Sequence, residues 1–266
     1  MLVYLDGVGL CAPGLTGWSA SREILAGHEP YLKVPFIRPA PTILSPMDRR
    51  RCGNTVLLAL QAGQEAIEHA EVDPHDVNTV FSSSDGDMEI IHDLCTTLAQ
   101  PGCSVSPTRF HNSVHNAAVG YWGIATGSQQ ASTSLTCYDA TFVAGLIESI
   151  VQVAEGCRPV LYVAYDWPPP PPLHAKRPLA AAFGVGMLLS PQCTDRSIAV
   201  LDIDILNTCT DDVGTMDNAQ LEVLRRGNPS ARALPLLAAV ARRKSDIVIL
   251  EHLDSGRAKI AVTTHS

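Results

Sequence analysis

Ser134-Leu135-Thr136-Cys137-Tyr138-Asp139-Ala140-Thr141-Phe142-Val143 is the stretch on which the reading of this chain turns. Ala131 to Leu135 is a short β-forming run. Cys137 to Glu155 is an apolar segment of helical length, with Phe142, Val143, Leu146, Ile147, Ile150 and Val153 mostly inward. A strand that turns sharply into a long buried helix is predicted. The first turn of a helix carries partial positive charge and free N–H groups, which lower the pKa of a thiol placed there.

Working outward, Leu2 to Leu10 reads as a first strand and Trp18 to Ala26 as a short helix with Thr16 as its cap. Residues 27–46 carry several prolines and read as a surface loop. A helix is predicted after Ser45, with Pro46 in its first turn, running through Val56 to Leu60 and on to about Ala70. Val77 to Ser82 reads as a buried strand and Ser82 to Asp87 as a polar turn. A helix follows with Ile90, Ile91, Leu94 and Leu98 on one face. Ser113 to Thr126, rich in Ala and Gly, reads as a tightly packed helix, and Pro159 to Ala164 as a buried strand.

The five consecutive prolines 168–172 read as a stiff extended surface loop, with docking to a proline-binding module as the alternative. Ala180 to Ser190 and Ile198 to Ile205 read as strands, and Asp217 to Arg226 and Ala231 to Arg243 as helices. Asp246 to Leu253 and Ala258 to Val262 read as a hairpin across Asp254-Ser255-Gly256. This alternation predicts α/β layers.

Composition limits the function classes. The chain has 266 residues, 46% hydrophobic and 17% charged, with net charge −8. A substantial core is expected, and an acidic chain is a poor general binder of nucleic acid. No apolar run approaches the ~20 residues of a membrane helix. The eight cysteines (Cys11, Cys52, Cys95, Cys103, Cys137, Cys157, Cys193, Cys209) show no C-x-x-C pair. Reduced thiols in a cytoplasmic protein are the plain reading. Asp85 and Asp87 lack the longer acidic pattern of a calcium loop. His111 and His115 are spaced i, i+4, but no Glu follows His111, so the zinc-protease motif fails. No metal is expected. These histidines are expected near the functional site or a dimer interface.

The block Phe110-His111-Asn112-Ser113-Val114-His115-Asn116-Ala117-Ala118-Val119-Gly120, then Gly127-Ser128, then Ser134 to Ala140, then Ile147-Glu148-Ser149-Ile150 has a recognisable order. Together with Ser45-Pro46-Met47-Asp48-Arg49-Arg50-Arg51 and Ala182-Phe183-Gly184-Val185-Gly186-Met187, it resembles the N-terminal half of β-ketoacyl synthases. Those proteins place a nucleophilic Cys at a sharp turn before a long buried helix. The resemblance implies a thiolase-like layered α/β fold with helices packed on a mixed β-sheet and a reduced C-terminal half. It implies one domain over 1–266, ketosynthase-like over 1–190 with a C-terminal cap over 191–266. The segment 227–237 is expected to form a short helical cap.

Matching the long helix to the family places Thr136 at the nucleophile position, with Cys137 one residue, about 100°, further round. Past residue 174 only His252 and His265 remain, and neither lies in a Gly-rich or Asn-rich loop like those that carry the family's two histidines. The combination resembles the short chain-length factors of aryl polyene biosynthesis, a fatty-acid- and polyketide-type pathway. The resemblance implies a non-catalytic subunit that pairs with a catalytic ketosynthase as a heterodimer and shapes its acyl tunnel. The chain on which it acts would arrive on the phosphopantetheine of an acyl carrier protein, with no cofactor of its own.

Met88, Ile90, Ile91, Leu94, His111, His115, Ser134, Leu135 and Tyr138 are the candidate tunnel or interface residues, Met88, Ile90, Ile91 and Leu94 having ordinary core packing as their alternative. Arg49, Arg50 and Arg51 are the candidate carrier-protein contact, with a solvated helix face as the alternative. The strand near Leu135 is expected to pair across the dimer. The alternative functions are an acyltransferase or thioester hydrolase using Cys137, and a purely structural stabiliser of the partner.

Overall fold

In the computed structural model, which describes residues 1–102, 104–206, 211–253 and 255–264, the fold is organised by a helix lying directly on glycine-bearing strands. The sequence readings at Cys103, Cys209, Asp254 and His265 lie outside the described residues. The chain begins with β1 (Leu2–Ala12), the two-residue β2 (Leu15–Thr16), α1 (Trp18–Leu25), α2 (Pro46–Arg51) and α3 (Asn54–Ala70). It continues through β3 (Asn78–Ser82), α4 (Met88–Leu98), α5 (Pro107–Asn112), α6 (Ala117–Thr126), β4 (Ser132–Leu135), α7 (Thr141–Gly156) and β5 (Val160–Asp166). β6 (Phe183–Ser190), β7 (Ala199–Leu206), α8 (Ala219–Gly227), α9 (Leu234–Arg242), β8 (Asp246–Glu251) and β9 (Arg257–Thr264) complete it.

All the strands form one mixed sheet in the order β4-β3-β5-β6-β1-β7-β9-β8, with β2 folded onto β1. β3 runs parallel to β4 and β5, and the remaining pairs are antiparallel. One face carries α3 and α6, and the other carries α7, α9 and α1. β5 and β6 are buried along their whole lengths, which explains why their sequences are apolar runs without alternation. α3 approaches so closely because a Cβ on Gly7, Gly9 or Gly186 would collide with the Ala66 or Ala62 carbonyl oxygens. Only glycine under alanine gives that separation.

Several expectations are corrected. The helix expected from Pro46 to Ala70 breaks at Cys52, whose ψ of 140° is extended, and restarts at Asn54. α1 is not capped by Thr16, because Gly17 is its N-cap. The α1 start is held instead by Glu65 of α3, whose carboxylate accepts from Trp18 N–H and, at 2.9 Å, from Leu10 N–H. The helix expected over 113–126 begins only at Ala117, and residues up to Asn112 form the separate α5. The proline run is not wholly superficial. Pro169 is buried, and Trp167 just before the run packs against Phe36 at 5.6 Å between ring centroids.

The largest correction concerns the C-terminal segment. Residues 191–266 supply β7, β8 and β9 to the same sheet, and 227–237 is no peripheral cap. Leu234, Leu236, Leu237 and Val240 of α9 are buried among β9, β8 and α1. Each such side chain contributes about 1.5–3 kcal/mol on burial. Their run of consecutive apolar residues, which blurs the helical stripe, hides this role in the sequence.

Candidate functional site

The site is built at the C-terminal ends of β3, β4 and β5, where three parallel strands release their chains on the same side. Ser82 of β3 pairs with Leu135 of β4 and with Ala164 of β5. Beyond β3 comes the turn of residues 83–87, beyond β4 the entry to α7, and beyond β5 the loop that leads to β6.

A buried carboxylate ties these ends together. Asp166, at the end of β5, accepts at one oxygen from Ser84 N–H (2.8 Å), Ser84 Oγ (2.8 Å) and Ser83 Oγ (3.2 Å). Its other oxygen accepts from Ser230 N–H (3.1 Å) and Ser230 Oγ (2.6 Å). Five donors on two oxygens satisfy a group that would otherwise be costly to bury. Burial still pushes the Asp166 pKa above the usual carboxylate range against those donors.

The β4-to-α7 connection is a tight elbow. Thr136 Oγ1 donates back to the Ser84 carbonyl at 2.9 Å. The Cys137 N–H donates to Thr141 Oγ1 (2.9 Å), and that hydroxyl donates to the Tyr138 carbonyl (2.6 Å). Between them Tyr138 takes φ +49°, a left-handed conformation that is unusual for a bulky side chain. A short 3₁₀ turn over Tyr138–Ala140 then feeds α7. The Tyr138 ring is 61% exposed, and the Arg177 guanidinium lies 4.0 Å from its centroid.

Arg177 is held from two sides. Its Nε donates to Asp85 Oδ2 at 2.9 Å and its Nη1 to Asp139 Oδ1 at 2.7 Å. Burial works against its charge, but Asp139 and Asp85 outweigh it and move the pKa further up. Arg232 reaches the other Asp139 oxygen and Glu251, each at 3.4 Å. Arg177 lies well past Tyr138 in the chain, and nothing local in the sequence marks it. Asp85 and Asp139 are readable there only as polar turn residues.

The remaining candidates sort by place. Ser134 and Leu135 lie on β4, which forms one edge of the sheet, and among the described residues nothing pairs with its outer side. The Ser134 hydroxyl is buried without a hydrogen-bond partner. Met88, Ile90, Ile91 and Leu94 lie on α4, which has no fully buried residue, so they are not core side chains. His111 and His115 do not share a helix, because the chain turns between α5 and α6. His115 Nε2 hydrogen-bonds the Ser83 carbonyl at 3.0 Å, whereas His111 is exposed beside Ile124 and Tyr121. Arg49 is turned inward, donating to the Leu44 carbonyl at 3.2 Å and the Ala40 carbonyl at 3.5 Å, so it is not a free contact. Arg50 and Arg51 are exposed and form no ion pair among the described residues.

Among the thiols, burial pushes Cys11 up to about 12 and Cys52 up to about 11. Neither is an activated nucleophile. Among the described residues no group of three or more His, Cys, Asp or Glu side chains is arranged to hold a metal, and no helix is long and apolar enough to cross a membrane.

The comparisons with known proteins converge. A chain of the ketosynthase ApeO in complex with its chain length factor ApeC, from Xenorhabdus doucetiae, is 22% identical, with a TM-score of 0.74 over 98% of this chain and 99% of that one. A chain of the ishigamide ketosynthase/chain length factor is 11% identical, with a TM-score of 0.74 over the whole of both chains. A chain of the AntDE:AntF complex, a type II polyketide acyl carrier protein with its ketosynthase, is 11% identical with a TM-score of 0.76 over 99% of each. These likenesses show the thiolase-like fold. No curated protein matches the sequence. The family described as beta-ketoacyl synthase, N-terminal domain, matches residues 18–250, and the chain belongs to that family.

Proposed function

We propose that this protein is a non-catalytic, chain-length-factor-like subunit that pairs with a catalytic β-ketoacyl synthase and shapes the tunnel for its growing acyl chain. The observation that carries this reading is the incomplete side of the molecule around β4. An unpaired parallel edge strand is an aggregation liability unless a partner covers it. Phe110 of α5 and Ile124 of α6, both 68% exposed, and the half-buried apolar face of α4 lie in the elements that follow β3 and precede β4. Large apolar side chains left exposed in these elements are what a protein partner would cover.

The elbow supports the non-catalytic half of the reading. Thr136 uses its hydroxyl on the Ser84 carbonyl, and Tyr138 presents a phenol under a guanidinium. A ketosynthase supplied in trans would contribute the thiol and histidines, and this chain would contribute apolar surface from α4. The substrate class is an acyl chain carried on phosphopantetheine by an acyl carrier protein, with Arg50 and Arg51 as the contact for that acidic partner. Co-expression with a catalytic ketosynthase, followed by size-exclusion chromatography with light scattering, tests the pairing. A one-to-one heterodimer is expected. A stable homodimer that takes up none of the ketosynthase contradicts it.

A further inference from the structure

We infer that Tyr138, rather than Thr136 or Cys137, is the residue the β4–α7 elbow presents, and that Arg177 is its positioning residue, closing the elbow with a charge held by Asp85 and Asp139. This deepens the partner-subunit reading and rests on it.

The argument starts from the backbone. A strand-to-helix elbow presents one side chain outward by forcing that residue into a conformation its neighbours do not share. Of Thr136, Cys137 and Tyr138, Tyr138 alone has positive φ. A bulky residue there is strained and persists only where its surroundings hold it. Here they do. Thr141 Oγ1 holds the Tyr138 carbonyl, and the next residue, Asp139, is gripped by both Arg177 and Arg232. The Thr136 hydroxyl is turned back to the turn after β3, and Cys137 keeps a negative φ of −147° with ψ 39°.

Arg177 comes from the segment between the proline run and β6. It is fixed by two carboxylates from two different turns, both about the elbow. A guanidinium 4.0 Å from the Tyr138 ring centroid is in cation–π geometry. One of its nitrogens, Nη2, is buried without a partner. The charge therefore sits at the helix entrance whether or not the ring is there. The side chain this elbow presents is thus a phenol beside a guanidinium, with no thiol at the presented position.

The test reads that charge with a reporter thiol. In full-length protein carrying Cys137→Ala, Tyr138→Cys and Thr136→Cys are made separately. The pH dependence of alkylation by iodoacetamide is followed by site-resolved mass spectrometry, because Cys95, Cys157 and Cys193 are also exposed. An ordinary thiol has its midpoint near pH ~8.5. The position-138 thiol is expected below the position-136 thiol, the helix entrance and Arg177 lowering it while the Asp85 and Asp139 carboxylates offset part of that shift. Arg177→Ala should raise it and Arg177→Lys should largely preserve it. The position-136 thiol should behave as an ordinary one. If Arg177→Ala fails to fold, Arg177→Gln makes the same comparison. A lower midpoint at 136 than at 138, or a position-138 midpoint that ignores Arg177, overturns the inference. Heterodimer formation is scored separately, so a chain that finds no ketosynthase partner while its elbow thiols follow the expected order refutes the partner-subunit reading alone.

Discussion

Gly9 of β1 and Gly186 of β6 face each other across an antiparallel pair, and both lie beneath the Ala62 carbonyl of α3. A Cβ at Gly9 would stand 2.1 Å from that oxygen and at Gly186 2.3 Å. Because the atom met is backbone, it cannot swing aside. Gly186→Val should therefore cost at least the ~1–3 kcal/mol typical of overpacking and strip α3 from the sheet. Urea unfolding reads this as a lower midpoint. Gly120→Ala on α6, where an added methyl would meet nothing within 4 Å, should be neutral or mildly stabilising in the isolated chain.

Arg49 and its two neighbours should separate by role. Arg49→Ala removes two hydrogen bonds to the 40–44 loop and should cost about 1–2 kcal/mol of stability. Arg50→Glu with Arg51→Glu should leave stability within about 0.5 kcal/mol, since both side chains are exposed. The double variant should weaken carrier-protein binding and flatten its salt dependence. Thermal melts and binding titrations at two ionic strengths distinguish the effects.

Ile91→Asp on α4 should barely change the stability of the isolated chain, because no residue of that helix is fully buried. In the assembly it should weaken the heterodimer or alter product length. Replacing Met88 or Ile91 by Phe is expected to shorten the acyl product, read by mass spectrometry. Product length that never responds to bulk at either position would favour a purely structural stabiliser.

The Glu222–Arg225 pair gives a pH signature. Arg225 donates to both Glu222 oxygens at 2.7 Å and is itself buried. Those bonds hold the Glu222 carboxyl below its ordinary range. A depressed carboxylate contributes stability that is fully present above its unfolded pKa of about 4.3 and is lost as pH falls through the lower folded value. Glu222→Gln should cost about 1–3 kcal/mol at pH 7, and the gap to wild type should close below pH ~4. Denaturant midpoints across that range check it.

Most of the elements are legible in the sequence because burial leaves a periodic or continuous apolar record. β5, β6 and α7 are all readable in that way. The break at Cys52–Gly53 is not, since Cys52 continues an otherwise helical run and its extended backbone is imposed by tertiary packing. The start of α1 is hidden for a similar reason: the group that satisfies it, Glu65, is 47 residues from Trp18. The elbow is legible as a place but not as a register. Thr136, Cys137 and Tyr138 all fit a turn by composition, and only the φ of Tyr138 and the position of Arg177 tell them apart. Asp166 looks like the last polar residue of a strand, and its five donors come from segments 64 to 83 residues away.

The most direct test of the central claim is condensation turnover by the purified heterodimer carrying Cys137→Ala in this chain, with assembly verified by light scattering. The account predicts turnover close to that of the wild-type complex, because the partner's thiol forms the acyl thioester. Turnover abolished while the heterodimer remains intact would contradict it and make Cys137 a nucleophile.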